Sequence, residues 1–555
     1  MKIGRQEERK MEQYQALLEY AKQSSLEYIS RIRQASAYPT AESISALNAY
    51  DEELPATGDD PLSVLNFLHT VGAKATTAQV GGRYFGFVNG GLLPVAHAAE
   101  WMTDTWNQNG ALAVMSPVTA KLEELCEKWI VKLFALPPET AMGLVTGSSN
   151  ATLCALAAAR NSLLQKAGYD IRQGGLRNAP RLRVLMSADA HASVRAALSI
   201  LGFGESDIEI VPTDEYGRII LDAVPQMDSR TLCIIQAGNV NGGSYDPIDA
   251  ICDRANRAGA WVHIDGAFGL WAAASQKYRY LTKGMEKADS WSVDAHKTLN
   301  AGYDCGIVLC RHRDALVSAL QANGSYIQYG EQRDGMLYTT EMSRRARAIP
   351  LWAVLKSLGS EDVEQFINTL CQHAEYFADQ LKAVGFHVVN PVFFNQFMVD
   401  CGSDEKTEAV LRNIQQSGIC WCSGSKWKGC SIIRISVCSH ATTQEDIDKS
   451  VCSFVDVGII GNDLRHQVDV HALLEKQRTD AACETIQSSG QHCREYFRQK
   501  CTGVFRVQET NIKLERIHHE LASAAAVIQL QVCIDLSVHI LGDPESLFDL
   551  IVVFH

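Results

Sequence analysis

Long apolar runs, an excess of basic charge, metal-ligand spacing and repeats are all missing from this 555-residue chain. Each absence removes a class of function. The most apolar late stretch, 522–541, is interrupted by Gln529, Gln531, Asp535 and His539, which excludes a bilayer span and leaves a buried helix or strand. The opening MKIGRQEERKMEQYQ is charged and helix-like, without the apolar core of a signal peptide, so the expected location is cytoplasmic. A net charge of −13 gives no electrostatic reason to expect nucleic acid or an anionic membrane as partner. The seventeen cysteines are scattered and odd in number, which fits reduced thiols better than a disulfide framework. Cys420 and Cys422 form a lone CxC with Cys430 nearby, but no histidine or second pair stands at ligand spacing, so no metal is expected. No internal repeat or low-complexity segment occurs.

What is present is the 46% apolar content of an ordinary folded protein, long enough for several domains. Residues 10–35 read as an amphipathic helix, and Pro55, Gly58 and Pro61 punctuate a linker, giving an N-terminal helical segment over 1–95. Over 96–345, short apolar runs at 143–146, 182–187, 208–211, 231–236, 261–264, 290–293 and 306–310 alternate with helical or loop stretches. That is the pattern of an α/β domain with a largely parallel sheet. Over 346–458 helices dominate, with strand candidates at 388–390, 394–399 and 431–437, suggesting a small α/β domain. The last segment, 459–555, is either an appended interaction module or sequence outside the natural fold.

Ligands of such sheets bind beyond the carboxyl ends of the strands. Four segments fall there: Gly147–Asn150, Asn239–Gly243, Asp265 and His296-Lys297. Thr146-Gly147-Ser148-Ser149-Asn150 follows a strand and opens a helix, which suits a phosphate, although Ser and Asn are also ordinary N-caps. Lys297 follows an apolar strand and is placed to form a Schiff base; a solvated surface lysine is the plainer reading. Asp265, thirty-two residues earlier at the end of His263-Ile264-Asp265, can hold a pyridinium proton, or simply form a turn. Ala267 would leave room for a flat ring, and His191 would stack on its other face or merely start a helix. His296 could donate to a phosphate or a substrate carboxylate. A Schiff-base lysine with a pyridinium carboxylate points to pyridoxal 5'-phosphate (PLP).

With these residues assembled, the chain resembles the group II PLP-dependent amino acid decarboxylases, and most closely their microbial and fungal branch. The segments that carry the likeness are GGRYFGFVNGG, WNQNGALAVMSP, QAGNVNGGSYDPI, HIDGAFGLWAAAS, SWSVDAHKTLN, EMSRRAR and RISVCSHATTQEDID, spread over roughly 60–458. The resemblance implies fold type I, with a large seven-stranded domain, a small C-terminal domain and a homodimer whose active site lies near the subunit interface. It casts Lys297 as the Schiff-base lysine, Asp265 as the pyridine-nitrogen partner and His191 as the stacking residue. Ser148 and Ser149, helped by His296, would bind phosphate, with Ala267 and Asn239 also against the cofactor. Tyr84 and Phe85 match an aromatic substrate-pocket segment, and Arg434 a position that meets a substrate carboxylate in glutamate-type relatives. The family's mobile loop corresponds to about 325–342, where Tyr338 is favoured over Tyr326 and Tyr329 as the proton donor to the substrate carbon. One departure stands out: many relatives have Asn-Pro-His-Lys where this chain has Asp294-Ala295-His296-Lys297, so Asp294 is expected to hold the phosphate pocket less directly. The implied activity is decarboxylation of an L-amino acid; Arg434 leans toward an acidic one such as aspartate or glutamate, while Tyr84 and Phe85 would suit an aromatic one equally well. The alternatives are another fold type I activity, such as an aminotransferase or carbon–sulfur lyase, or a PLP-binding scaffold.

Overall fold

The computed structural model describes residues 2–322 and 329–458. Seven strands make the large sheet: β1 (Ala141–Val145), β2 (Arg183–Ser187), β3 (Ile208–Val211), β4 (Thr231–Gln236), β5 (Trp261–Asp265), β6 (Ser290–Asp294) and β7 (Gly306–Cys310). Their order is β1-β7-β6-β5-β4-β2-β3, and β7 alone runs against its neighbours. Six strands therefore end at one edge. Residues of β1, β4, β5 and β6 are buried throughout, as expected of a sheet covered on both faces.

Alternation along the strands divides the apolar side chains between two cores. On one face Leu144, Ile235, Val262, Ile264, Trp291 and Val293 pack with the helices Pro117–Leu133 and Ala348–Ala383. On the other, Val145, Met186, Leu232, Ile234 and Val308 meet the helix Ser148–Lys166. That helix buries Ala151, Ala155, Ala158 and Ala159, whose small side chains let it lie close to the sheet.

A second sheet has the order β10-β11-β9-β8, all antiparallel, from β8 (His387–Val388), β9 (Gln396–Asp400), β10 (Ser423–Trp427) and β11 (Cys430–Ser436). β10 was absent from the sequence expectation because Ser-Gly-Ser-Lys has little strand propensity. It forms through the two-residue turn Lys428-Gly429, both at positive φ (48° and 89°), which suits a tight hairpin. The helix Ala348–Ala383 joins the two cores: Leu351 and Val354 lie in the first, Phe377 and Leu381 in the small-sheet core. It breaks at Gly359, where φ is 65°. Residues 459–555, with the expectations attached to them, lie outside the described residues, as does Tyr326.

Candidate active site

The strand edge shared by β1, β5 and β6 gathers the charged residues. β1 leads through Gly147 into the helix at Ser148, and the Gly147 carbonyl accepts from the Asn150 and Ala151 amides. Gly306 lies so close beneath that a Cβ there would sit 2.4 Å from the Gly147 Cα. The Ser148 amide and hydroxyl donate to Asp294 at 2.5 and 2.7 Å. The Ser149 hydroxyl is exposed and has no partner among the described residues. A helix N-terminus with two hydroxyls is a ready anion site.

Asp294 ends β6, and its Oδ2 is 2.9 Å from the Lys297 Nζ. The expectation for Asp294 is thus corrected: its carboxylate directly bridges the serine loop and the lysine. His296 is buried and stacks on Tyr303 with ring centroids 4.3 Å apart. Its Nδ1 accepts from the Cys305 amide at 3.1 Å, and burial lowers its pKa, so the neutral ring carries its proton on Nε2. That nitrogen lies 3.6 Å from Asp294.

Asp265 ends β5 beside Ser292 of β6. Its Oδ1 accepts from the Ala267 amide at 3.3 Å and the Ser292 hydroxyl at 3.5 Å, while Oδ2 takes no hydrogen bond from the described residues. Burial pushes this carboxyl up, against the pull of His191 and Lys297. Ala267 returns its carbonyl to the Asp294 amide at 2.8 Å, which locks the two strand ends together. His191 is the N-cap of the helix Ala192–Ile200, its Nδ1 accepting from the Ser193 amide at 3.2 Å. Burial of its surroundings lowers its pKa, with Asp265 opposing and Lys297 and Arg434 adding. His191 is thus a helix cap that also stands within electrostatic reach of Asp265 and Lys297.

Three expected residues are placed otherwise. Asn239 is buried, and its Oδ1 accepts from the Asn241 and Gly242 amides at 2.8 and 3.2 Å while Nδ2 reaches the Asp189 carbonyl. Its side chain shapes the loop instead of facing a cofactor. Phe85 is 1% exposed and packs edge-on against Phe377 in the small-sheet core, so it is not a pocket residue. Tyr338 is buried in the second core of the large sheet, its hydroxyl taken by Arg313 at 2.9 Å and its ring 4.1 Å below the Arg333 guanidinium. Its carbonyl lies against Gly143, in the middle of β1. Tyr329 gives its hydroxyl to the Ala322 carbonyl at 2.5 Å.

Tyr84 and Arg434 do lie together. Tyr84 stacks on Trp421, centroids 5.0 Å apart and planes at 7°, and burial raises its pKa to about 12. Arg434 is buried on β11 with only neutral acceptors, the Ser423 hydroxyl at 3.2 Å and the Val240 carbonyl at 3.1 Å, and lies 5.8 Å from the Phe87 ring. It forms no ion pair with a described carboxylate. Trp421 and Gln396 were missed by sequence reasoning. Gln396 donates to the Asn239, Val240 and Asn241 carbonyls and so caps the 239–243 loop. Trp421 sits in the CxC segment, where the cysteines drew attention to metal chemistry; Cys420 and Cys422 are buried thiols, and no metal-binding group of three or more ligands occurs among the described residues.

These residues fit PLP. A primary amine, a buried carboxylate with an open oxygen and a helix N-terminus with free hydroxyl capacity share one edge, which matches the aldehyde, ring nitrogen and phosphate of that cofactor. Residues 46–396 match the pyridoxal-dependent decarboxylase conserved domain. The chain is 28% identical over 448 residues to the aromatic-L-amino-acid decarboxylase of Bacillus atrophaeus, covering 76% of this chain and 90% of that protein. It is also 28% identical over 314 residues to the acidic amino acid decarboxylase GADL1 of Mus musculus, covering 54% of this chain and 56% of that protein. In fold it is similar to the crystal structure of Oryza sativa TDC with PLP and tryptamine, with a TM-score of 0.75 at 20% identity, over 81% of this chain and 99% of that one. The chain accordingly belongs to the pyridoxal-dependent decarboxylase family, as a PLP-dependent carboxy-lyase of fold type I that acts on an amino acid.

Proposed function

We propose that the substrate is an L-amino acid with an acidic side chain, such as aspartate or glutamate, and that Arg434 receives its carboxylate. The observation that carries this reading is a buried guanidinium held only by neutral acceptors. A buried cation without a counter-charge is costly, and an anionic ligand group offsets that cost. The Trp421, Tyr84 and Phe87 rings nearby support a second reading, an aromatic substrate. Carbon dioxide release measured over the twenty amino acids decides between them. Fastest release from aspartate or glutamate is expected; release from aromatic amino acids alone overturns the acidic reading.

Lys297 is the residue that binds the cofactor covalently, Ser148, Ser149 and His296 hold its phosphate, and Asp265 holds its ring nitrogen, with His191 and Ala267 against the ring faces. Bound there, PLP supplies a conjugated cationic ring that accepts the electron pair left when carbon dioxide departs. Asp265 keeps the ring nitrogen protonated through its open Oδ2. Asp294, between Ser148 and Lys297, holds the amine at the serine loop. Holding the side-chain carboxylate at Arg434 orients the amino acid, and that orientation selects the bond at Cα that breaks. Lys297→Ala is expected to abolish turnover and the visible absorbance of the holoprotein; retention of both removes Lys297 from the site. Borohydride reduction followed by digestion should label the peptide containing 291–300.

The functional unit is a homodimer with its active site near the subunit interface. Support comes from exposed Trp101, Met102 and Trp106 on the helix Pro94–Trp106, together with Val114, Met115 and Val118. This helix begins beside the lysine segment, the Leu93 amide donating to the Asn300 carbonyl at 3.0 Å. Light scattering that gives a monomer mass for the holoprotein overturns the dimer. No helix among the described residues is long and apolar enough to cross a membrane. Buried thiols such as Cys233 and Cys305 suit the reducing cytoplasm, a location checked by fractionation.

A further inference from the structure

Most of the sheet face beneath the helix Ser148–Lys166 is apolar, as Val184 and Met186 on β2 and Leu232 and Ile234 on β4 show. Beneath the same helix, the β5–β6 pair carries a ladder of polar atoms. The Trp261 indole donates to the Ser290 hydroxyl at 3.0 Å, and that hydroxyl lies 3.0 Å from the His263 Nδ1. His263 Nε2 lies 3.4 Å from the Ser292 hydroxyl, which reaches Asp265 at 3.5 Å and accepts from the Thr152 hydroxyl at 3.0 Å. Cross-strand pairing sets His263 beside Ser290 and Asp265 beside Ser292. Trp261, His263, Ser290, Ser292 and Thr152 are at most 1% exposed.

The chemistry gives this ladder a direction. An indole can only donate, and at the far end the Ser292 hydroxyl donates to Asp265 Oδ1, so the two ends are fixed. Ser290, already accepting from Trp261, passes its own hydrogen to Nδ1 of His263. The ring then carries its proton on Nε2 and donates to Ser292, and Ser292 donates to Asp265. Burial lowers the pKa of His263 to about 3, so the ring is neutral at physiological pH. Packing alone does not ask for this arrangement, because buried polar groups cost stability that apolar ones of equal size avoid.

We propose that His263 and Ser292 are positioning residues that hold Asp265 as a carboxylate, and thereby keep the pyridine nitrogen of PLP protonated. The proposal rests on the reading of Asp265 as the partner of that nitrogen. The other charged groups facing Asp265 are Lys297 and His191, which favour the carboxylate, and Asp294, which opposes it. The ladder adds a neutral donor to the same oxygen that the Ala267 amide reaches.

The test uses holoprotein loaded with ring-15N-labelled PLP, in the wild type and in Ser292→Ala, His263→Phe and Asp265→Ala. The pyridine nitrogen resonance is followed against pH, and the PLP dissociation constant is measured separately. In Ser292→Ala and His263→Phe the nitrogen is expected to lose its proton about one pH unit lower than in the wild type, with PLP bound about tenfold more weakly. Asp265→Ala should shift both further. Should His263→Phe fail to fold, Ser292→Ala, which removes one oxygen, carries the test. Folded Ser292→Ala and His263→Phe proteins with wild-type nitrogen titration, beside a shifted Asp265→Ala, overturn the ladder's role alone. An unshifted Asp265→Ala overturns the assignment of Asp265, and the proposal with it.

Discussion

Two groups of buried arginines in this chain are treated in opposite ways. Under the first residues of β1, Arg344 and Arg333 pair with Glu123, and Arg333 and Arg313 pair with Glu127. Backbone carbonyls of Gly110, Met142 and Leu144 take further guanidinium hydrogens. Each guanidinium there has a carboxylate partner within the fold, three arginines sharing two glutamates, and Tyr338 is drawn in as an additional partner. On β11 of the second sheet, Arg434 has a hydroxyl and a carbonyl for company but no described carboxylate. A cation paired by its own chain serves the fold; under the proposed function, the one without a carboxylate receives an anionic group of the substrate.

That contrast is open to attack from both sides. The largest effect should come from Arg344→Leu, which leaves buried Glu123 with Arg333 as its one remaining guanidinium partner and frees the Gly110 and Leu144 carbonyls; a loss of about 3 kcal/mol in unfolding free energy is expected by urea denaturation. A loss under about 1 kcal/mol would mean the cluster is not a balanced unit. Arg434→Met, by comparison, should leave the unfolding midpoint close to the wild type and raise KM for the preferred acidic amino acid about a hundredfold, roughly 2.7 kcal/mol of binding. If KM is unchanged while stability falls, Arg434 belongs with the structural group.

A third way to bury a titratable group is to keep it neutral, as with His263. Its folded pKa, about 3, lies below the unfolded value near 6.5, so the unfolded chain binds more protons between those limits. Its contribution is therefore complete above pH 6.5 and is lost as pH falls toward 3. Between pH 6.5 and 5 this group should account for about 2 kcal/mol of the decline in stability, read as the difference in pH dependence between wild type and His263→Phe. Equal slopes for the two proteins would show that the ring is not held neutral. The smallest effect is expected from Tyr338→Phe, about 1 kcal/mol from the lost Arg313 hydrogen bond and no change in product distribution. Diversion of products in that variant would return Tyr338 to the chemistry.

Lys297, Asp265 and Ser148 were legible in one dimension because each stands at the end of an apolar run, and parallel strands of one sheet bring such ends to one edge. The aromatic segment was only half legible. Tyr84 and Phe85 are neighbours in an extended stretch, so their side chains point to opposite sides; sequence does not say which side is the core. The pairing of Tyr84 with Trp421, more than three hundred residues away, decides it. Tyr338 was misplaced for a related reason: its hydroxyl is held by Arg313, which lies outside the loop, and nothing in the loop itself announces that partner. Asn239 was placed at the correct strand end, but its amide turned out to serve its own loop.

The β10–β11 hairpin tip has one more consequence. Lys428, at the turn, reaches across to Asp189 at 3.2 Å and Thr213 at 2.9 Å, and Asp189 stands two residues before His191. The strand that leaves this turn carries Arg434. One ammonium group thus ties the hairpin that carries Arg434 to the segment leading into the His191 helix, so the two walls of the proposed site are joined by a direct contact.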